Sequence, residues 1–312
     1  NLKKRGKYNM NKKSGLTITM IFKAQSLNYS EGIGNIAELK KLTRGNGDVY
    51  TFASRQALRY DIARLGNEMF NWNLQVVDKD KKTVQFSEKY TIEDSEEMDL
   101  FGYMRTIEKT DKKEGGANVR SAVVRLSNAL SLEKYKSDIE FLSNKGMADR
   151  SKKHPNIANL EQHLSYYTYT VTIDLSKVGI DCDIELSNEV KKNRVIQLLE
   201  ILKVLNRNIR GREENLSPVF VIGGIYTLNS PFFLGRIALN DKKEKFELDV
   251  DMLKDAMSLK LGEKFIKDDT RVGIVKNTFS NEDKINEMVD NKVGTVQEFF
   301  EDIESKVSEY YM

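Results

Sequence analysis

Residues 43–59 read TRGNGDVYTFASRQALR and gather side chains suited to holding phosphate. Leu58, Ile62, Leu65 and Met69 fall at helical spacing, so a helix is expected from Ala53 to Phe70, with Ser54 as its N-cap. With Leu58 at zero and roughly 100° per residue, Arg55 lies near ~60° and Arg59 near ~100°, while the apolar face centres near ~10°. Both arginines therefore line one flank of the buried stripe. Packing holds the stem of such an arginine and aims its guanidinium in one direction, which suits phosphate contact. Ser54 and Gln56 sit in the first turn, where free backbone N–H groups favour anions. The plainer reading is a solvated helix whose arginines pair with Asp61 or Glu68.

Other candidates carry less chemistry. His154 and His163 could form an acid/base pair for RNA cleavage, but they stand nine residues apart in a polar stretch, which fits solvated loop histidines at least as well. Asp48, between Gly47 and Val49, could hold a metal or take a proton, and is most simply a turn residue. Gly32 and Gly34 do not complete a G-x-G-x-x-G pattern, and neither a phosphate-binding G-x-x-x-x-G-K-[ST] loop nor H-E-x-x-H occurs. The tyrosines of residues 166–169 could stack on bases, though alternation places part of them in a core. The expectation is a binding protein with no catalytic residue, no metal and no cofactor.

The elements that must position these residues follow from periodicity. Leu16, Ile18, Met20 and Phe22 alternate with Thr17, Thr19, Ile21 and Lys23, which predicts a first strand, followed by a loop from Asn28 to Gly47. Residues 71–119 read as an insertion outside the core, Val119–Leu126 as a strand, and 132–142 as ambiguous. Residues 143–163 read as a long loop carrying Lys145, Arg150, Lys152, Lys153 and His154. The clearest strand runs through Tyr167, Tyr169, Val171, Ile173 and Leu175, and a second amphipathic helix is predicted over 189–210. A strand over 219–228, broken by Gly223 and Gly224, precedes a hairpin (236–239 with 246–250) and a helix over 250–261. Thr295 and Glu298 have capping-box spacing ahead of a terminal helix. This order predicts an α+β protein with helices on a mostly antiparallel sheet, an elaborated RRM-like or ferredoxin-like split βαβ core.

Composition is consistent with such a body. The 312 residues are 39% hydrophobic and 31% charged, and no apolar run is long enough to span a bilayer. The lone cysteine, Cys182, excludes a disulfide framework and a cysteine zinc cluster, so a reducing cytoplasm is expected. The net charge of +3 is unevenly spread. Residues 1–72 hold 13 Lys/Arg against 5 Asp/Glu, and residues 241–312 hold 12 against 18. A basic front and an acidic rear suggest an anionic partner, or head-to-tail self-association. Asn1 to about residue 13 reads as an N-terminal extension or a remnant of expression.

At TFASRQALRY the chain resembles the DevR-type members of the Cas-seven family, the RAMP backbone subunits of type I CRISPR surveillance (Cascade) complexes. The strand and Asn-containing turn LTITMIFKAQSLNYSEGIGN, the Ser-x-Gln-x-Leu-Arg helix start, RSAVVRLSNALSLEKYKSDIEF and YYTYTVTIDLSKVG occur in the family's order, over roughly residues 14–240. The resemblance implies one modified RRM core over 14–312, with a finger-like insertion at 71–119 and a thumb-like loop at 143–165. It also implies a role: head-to-tail stacking along one crRNA, gripping of its phosphates, and presentation of the guide to a target DNA strand. The implied RNA-binding set is Asn28, Arg44, Ser54, Arg55, Gln56, Arg59, Met147, Arg150, Lys152 and Lys153. Arg55 stands where the family often has a second Ser, so its role rests on the helical wheel, and no family motif fixes Met147 as the base-separating wedge. The implied partners are crRNA, target DNA, further copies of the chain and other Cascade subunits, with no membrane. The alternative is a ribonuclease of the same superfamily, cleaving crRNA precursor with His154 or His163, or target RNA with Asp48.

Overall fold

The computed structural model describes residues 13–32, 34–78, 83–107, 116–240 and 246–312. The first twelve residues, and the parts of the expected 71–119 insertion at 79–82 and 108–115, lie outside the described residues. The chain starts with β1 (Gly15–Gln25), β2 (Ile36–Ala37), β3 (Lys41–Thr43) and β4 (Val49–Ala53), then α1 (Arg55–Phe70) and α2 (Glu96–Phe101). Next come β5 (Tyr103–Ile107), β6 (Gly116–Arg120), β7 (Val124–Leu126), β8 (Ala129–Ser131), β9 (Asp138–Ser143), α3 (Lys145–Ser151), β10 (Ile157–Gln162) and β11 (Leu164–Asp174). Short β12 (Ile180–Asp181) and β13 (Ile184–Glu185) lead into α4 (Asn188–Lys203), the hairpin β14 (Asn206–Ile209) and β15 (Arg212–Asn215), and β16 (Phe220–Tyr226). The last part holds β17 (Leu239–Asn240), β18 (Glu247–Leu248), α5 (Val250–Met257), β19 (Lys260–Leu261), β20 (Lys264–Phe265) and α6 (Ile266–Asp269). It ends with β21 (Thr270–Ile274), α7 (Glu282–Met288), β22 (Val293–Thr295) and α8 (Val296–Tyr311).

The main sheet runs β22-β21-β16-β1-β11-β8-β4-β3, with β7 also on β11. β1 lies at its centre, antiparallel to β11 on one side and β16 on the other. Both faces of the sheet are covered, which is why β1 is buried almost throughout. Leu16, Ile18, Met20 and Phe22 meet Leu58 and Ile62 of α1, Leu198 and Leu202 of α4, and Phe300 and Ile303 of α8 in one core. Ile21, Phe220, Ile222 and Tyr226 face a second core with Leu253 of α5 and Ile285 of α7. The molecule is thus a mixed α+β protein around a multi-stranded sheet, as expected.

Several elements differ from expectation for identifiable reasons. Residues 71–119 were expected outside the core, yet Trp72, Leu100 and Phe101 are buried in the main one. Trp72 donates from Nε1 to Gln197 Oε1 at 2.7 Å, and its ring occupies the space a Cβ on Gly66 would need, 2.3 Å away. The expected strand 119–126 is split between β6 and β7, because Arg120 turns inward to Asp99 (2.5 Å). The predicted second helix stops at Lys203, and the next residues form the β14–β15 hairpin. Gly223 and Gly224 do not break β16; a Cβ would come within 2.1 Å of Thr17 O and 2.0 Å of Asp269 O, so they permit close backbone approach. The 143–163 loop is instead an arm, β9–α3–β10, whose β10 also pairs with β2. Every residue of β9 is exposed, so no burial periodicity marked it. The capping box of α8 forms as expected between Thr295 and Glu298.

Candidate nucleic-acid interface

The N-terminus of α1 is built by three chain segments. Ser54 is extended (φ −68°, ψ 150°) and its Oγ accepts from Ala57 N at 3.3 Å, the N-cap read from the sequence. Ser54 N donates to Asn28 Oδ1 at 3.1 Å, so two predicted residues 26 positions apart meet directly. Arg55 N donates to Asn128 Oδ1 at 2.9 Å. The expectation of a first turn rich in free amides is therefore corrected. Two asparagine side chains and the Ser54 hydroxyl occupy three of these donors, leaving the Gln56 N–H without a partner among the described residues.

The two arginines behave differently. Arg55 is exposed, and its guanidinium has no hydrogen bond or ion pair among the described residues. Arg59 is half-buried; Nε and Nη2 donate to Glu97 Oε1 at 3.2 and 2.8 Å, and its guanidinium lies over the Phe101 ring at 5.2 Å. Neither pairs with Asp61 or Glu68, contrary to the plainer sequence reading. Asp61 instead takes Arg207 at 2.6 Å, and Glu68 takes Arg64 at 3.0 Å. Burial pushes the Asp61 carboxyl above its ordinary pKa, against the pull of Arg207.

Arg55, Gln56 and Arg59 share a concavity of about 520 Å³ with Phe101, Val124 and Arg125. A second, of about 490 Å³, shares Gln56 and Arg59 and continues along α1 past Tyr60, Arg64 and Asn67. The two meet at Gln56 and Arg59 in one groove, the first on the flank that the helical wheel marks and the second on the side of α1 turned away from the apolar stripe. Arg125 was missed from the sequence, although its place between Val124 and Leu126 carries the signal, an exposed cation alternating with inward-facing apolar residues. Asn128, Glu97 and Phe101 were missed as well, because they reach α1 from distant chain positions. Chemically, the groove offers cations on fixed stems and amide donors, which suits phosphate and sugar contacts.

The remaining predicted residues lie elsewhere. Arg44 is exposed on the β3–β4 turn, its guanidinium over the Tyr50 ring at 5.1 Å. Met147 is 64% exposed on α3, with Arg150, Lys152 and Lys153 exposed beside it. No hydrogen bond or ion pair among the described residues joins this arm tip to the α1 groove. At the arm's root Glu161 accepts from Leu39 N (2.7 Å) and Lys41 Nζ (2.6 Å). Burial raises the Glu161 pKa, but these donors outweigh it and hold the carboxyl below its ordinary value.

The ribonuclease candidates are separated. His163 connects β10 to β11 and is buried, not solvated, its Nδ1 within 2.7 Å of Thr51 Oγ1. Burial lowers its pKa, against a smaller upward pull from Glu133 and Asp138. His154 is exposed on the arm. Asp48 is paired with Lys134 at 2.9 Å and bonded to Asn46, and these partners, Lys134 foremost, hold its pKa down, as suits a turn residue. Tyr167 and Tyr169 are buried in the core and unavailable for stacking. Among the described residues no group of three or more His, Cys, Asp or Glu is placed to hold a metal, and no helix is long and apolar enough to cross a membrane.

Comparison with known proteins places these features in a family. The family described as CRISPR-associated negative auto-regulator DevR/Csa2 matches residues 16–247. A protein of Myxococcus xanthus (strain DK1622), described as CRISPR-associated protein Cas7/Cst2/DevR, is 32% identical over 156 residues, 45% of this chain and 50% of that protein. The match thus spans about half the length of that curated relative. A chain of a solved CRISPR RNA-guided surveillance complex, in a pre-nicking state, superposes with a TM-score of 0.56 at 11% identity, covering 95% of this chain and 100% of that one. That likeness is one of fold. On the extent of the family match, the chain belongs to the DevR/Csa2 family of CRISPR-associated proteins.

Proposed function

We propose that the chain is a guide-RNA-binding backbone subunit of a type I CRISPR surveillance complex, stacking in successive copies along the RNA and exposing it to a target DNA strand. The observation that carries this reading is the α1 groove, where Arg55, Arg59 and Arg125 surround one concavity beside Gln56. Guanidinium groups on fixed stems bind phosphates in any sequence context, which is what a subunit that tolerates every guide requires. The family membership and the fold likeness to a chain of an RNA-guided complex support the same role. The succession β1, α1, β7 with β8, β11, α4, β16, with β1 between β11 and β16, supports reading the core as ferredoxin-like. The exposed β9–α3–β10 arm, carrying Met147, Arg150, Lys152 and Lys153, fits a thumb that displaces a nucleotide, and residues 71–119 fit the finger region.

The geometry favours no cleavage reading. His163 is walled into the core, and Asp48 is engaged by Lys134. The test is to mix the purified protein with single-stranded RNAs of increasing length and to measure the mass of the complexes and the integrity of the RNA. The expected result is a stepwise rise in copies per RNA with the RNA intact. RNA cut in a His154- or His163-dependent manner, or a single copy bound whatever the length, would overturn the proposal.

A further inference from the structure

The β14–β15 hairpin carries a residue that its backbone does not favour. Ile209 pairs with Arg212, so Arg210 and Gly211 form a two-residue turn, and both have positive φ, 48° and 75°. Such turns select Asn, Asp or Gly at the first central position, because other side chains crowd the backbone there. Arginine at this place carries a conformational penalty, and its side chain is exposed. Its guanidinium lies over the ring of Tyr29 at 4.4 Å, and no carboxylate pairs with it among the described residues.

The hairpin is anchored to α1 and to the end of β1. Arg207, at the root of the hairpin, donates to Leu27 O at 2.7 Å and to Asp61 Oδ2 at 2.6 Å, which nails the hairpin to both β1's end and α1. Glu214 is turned inward, accepting from Gln25 N at 3.0 Å and lying 3.6 Å from Arg212, so it is not facing Arg210. Tyr29 donates from its hydroxyl to Glu161 O at 3.1 Å, which fixes the ring from the arm side. Tyr29 also directly follows Asn28, the residue that receives Ser54 N.

We infer that Arg210, held over the Tyr29 ring, is a stacking platform for an unpaired nucleotide of the bound RNA, on the side of the α1 N-cap that Asn28 reaches. This rests on the RNA-binding reading above. The Tyr29 ring backs the guanidinium on one side and the side chain is exposed, which leaves it open to a base and to phosphate. Sequence-independent stacking of this kind complements phosphate contacts in a subunit that must accept any guide.

The experiment compares binding of a labelled single-stranded RNA by the wild type, Arg210→Asn, Arg210→Lys and the double variant Arg55→Ala/Arg59→Ala, with thermal melting of each. Asn is the residue the turn prefers, so Arg210→Asn is expected to melt no lower than wild type while binding RNA roughly tenfold or more weakly. Arg210→Lys keeps the charge without the plane and is expected to bind nearly as weakly as Arg210→Asn. Wild-type affinity in Arg210→Asn, with affinity lost in the double variant, would overturn the platform and leave the groove standing. Wild-type affinity in Arg210→Lys would overturn stacking in favour of simple charge. Wild-type affinity in all variants would overturn the groove reading itself, and the platform with it.

Discussion

His163 joins β10 to β11, and its backbone exchanges hydrogen bonds with Ser26, its N–H to Oγ at 2.9 Å and its carbonyl from the amide at 3.0 Å. Its imidazole is buried among Thr51, Tyr135 and Tyr167. Burial lowers its pKa from the ordinary 6.5, so between 6.5 and the lowered value the unfolded chain binds the proton more readily. The contribution to stability is therefore complete above about pH 6.5 and is lost as pH falls below it. We expect the melting temperature of the wild type to drop between pH 7.5 and 5.5, and that of His163→Gln to drop less; equal drops would contradict this assignment. At the residue scale the sequence was informative where a local rule operates. Ser54 caps and the α1 arginines lie on one flank because both depend on neighbours within two turns. It misjudged His163, since nothing local tells a buried arm root from a solvated loop.

At the scale of elements, one buried carboxylate ties the 71–119 segment to the core. Asp99 of α2 is fully buried, paired with Arg120 at 2.5 Å and Arg194 of α4 at 2.8 Å, and accepts from Gly179 N at 2.9 Å. These contacts span residues as far as 95 positions apart, which is why sequence periodicity read the segment as peripheral. Removing the shared acid leaves Arg194 buried without a counter-charge and Arg120 with only the more distant Asp181, at 3.9 Å. Asp99→Ala is expected to lose about 3–5 kcal/mol of stability, seen as a lower urea midpoint with an unchanged slope. A midpoint equal to wild type would show that the two arginines find other partners. The arm teaches the converse lesson. β9 is wholly exposed, with Ile139 56% and Phe141 61% exposed, so the short alternation of Asp138, Ile139, Glu140 and Phe141 corresponds to no buried face, unlike the longer alternation of β1 and β11.

For the whole molecule, the α+β architecture was readable because β1 and β11 alternate and the long helices α1, α4 and α8 present apolar stripes. The groove was half readable: α1 supplied Arg55, Gln56 and Arg59, while Phe101, Arg125 and Asn128 arrive through the tertiary fold. Whether this groove holds RNA phosphates is read most directly from the salt dependence of single-stranded RNA affinity for the wild type and Arg55→Ala/Arg59→Ala. Each phosphate contact contributes roughly 0.7 to the slope of log affinity against log salt on a single strand. Phosphate binding in the groove gives steep salt dependence in the wild type, weaker binding by the double variant at every salt, and a slope shallower by about 1 to 2. Equal affinities and equal slopes for the two proteins would contradict it.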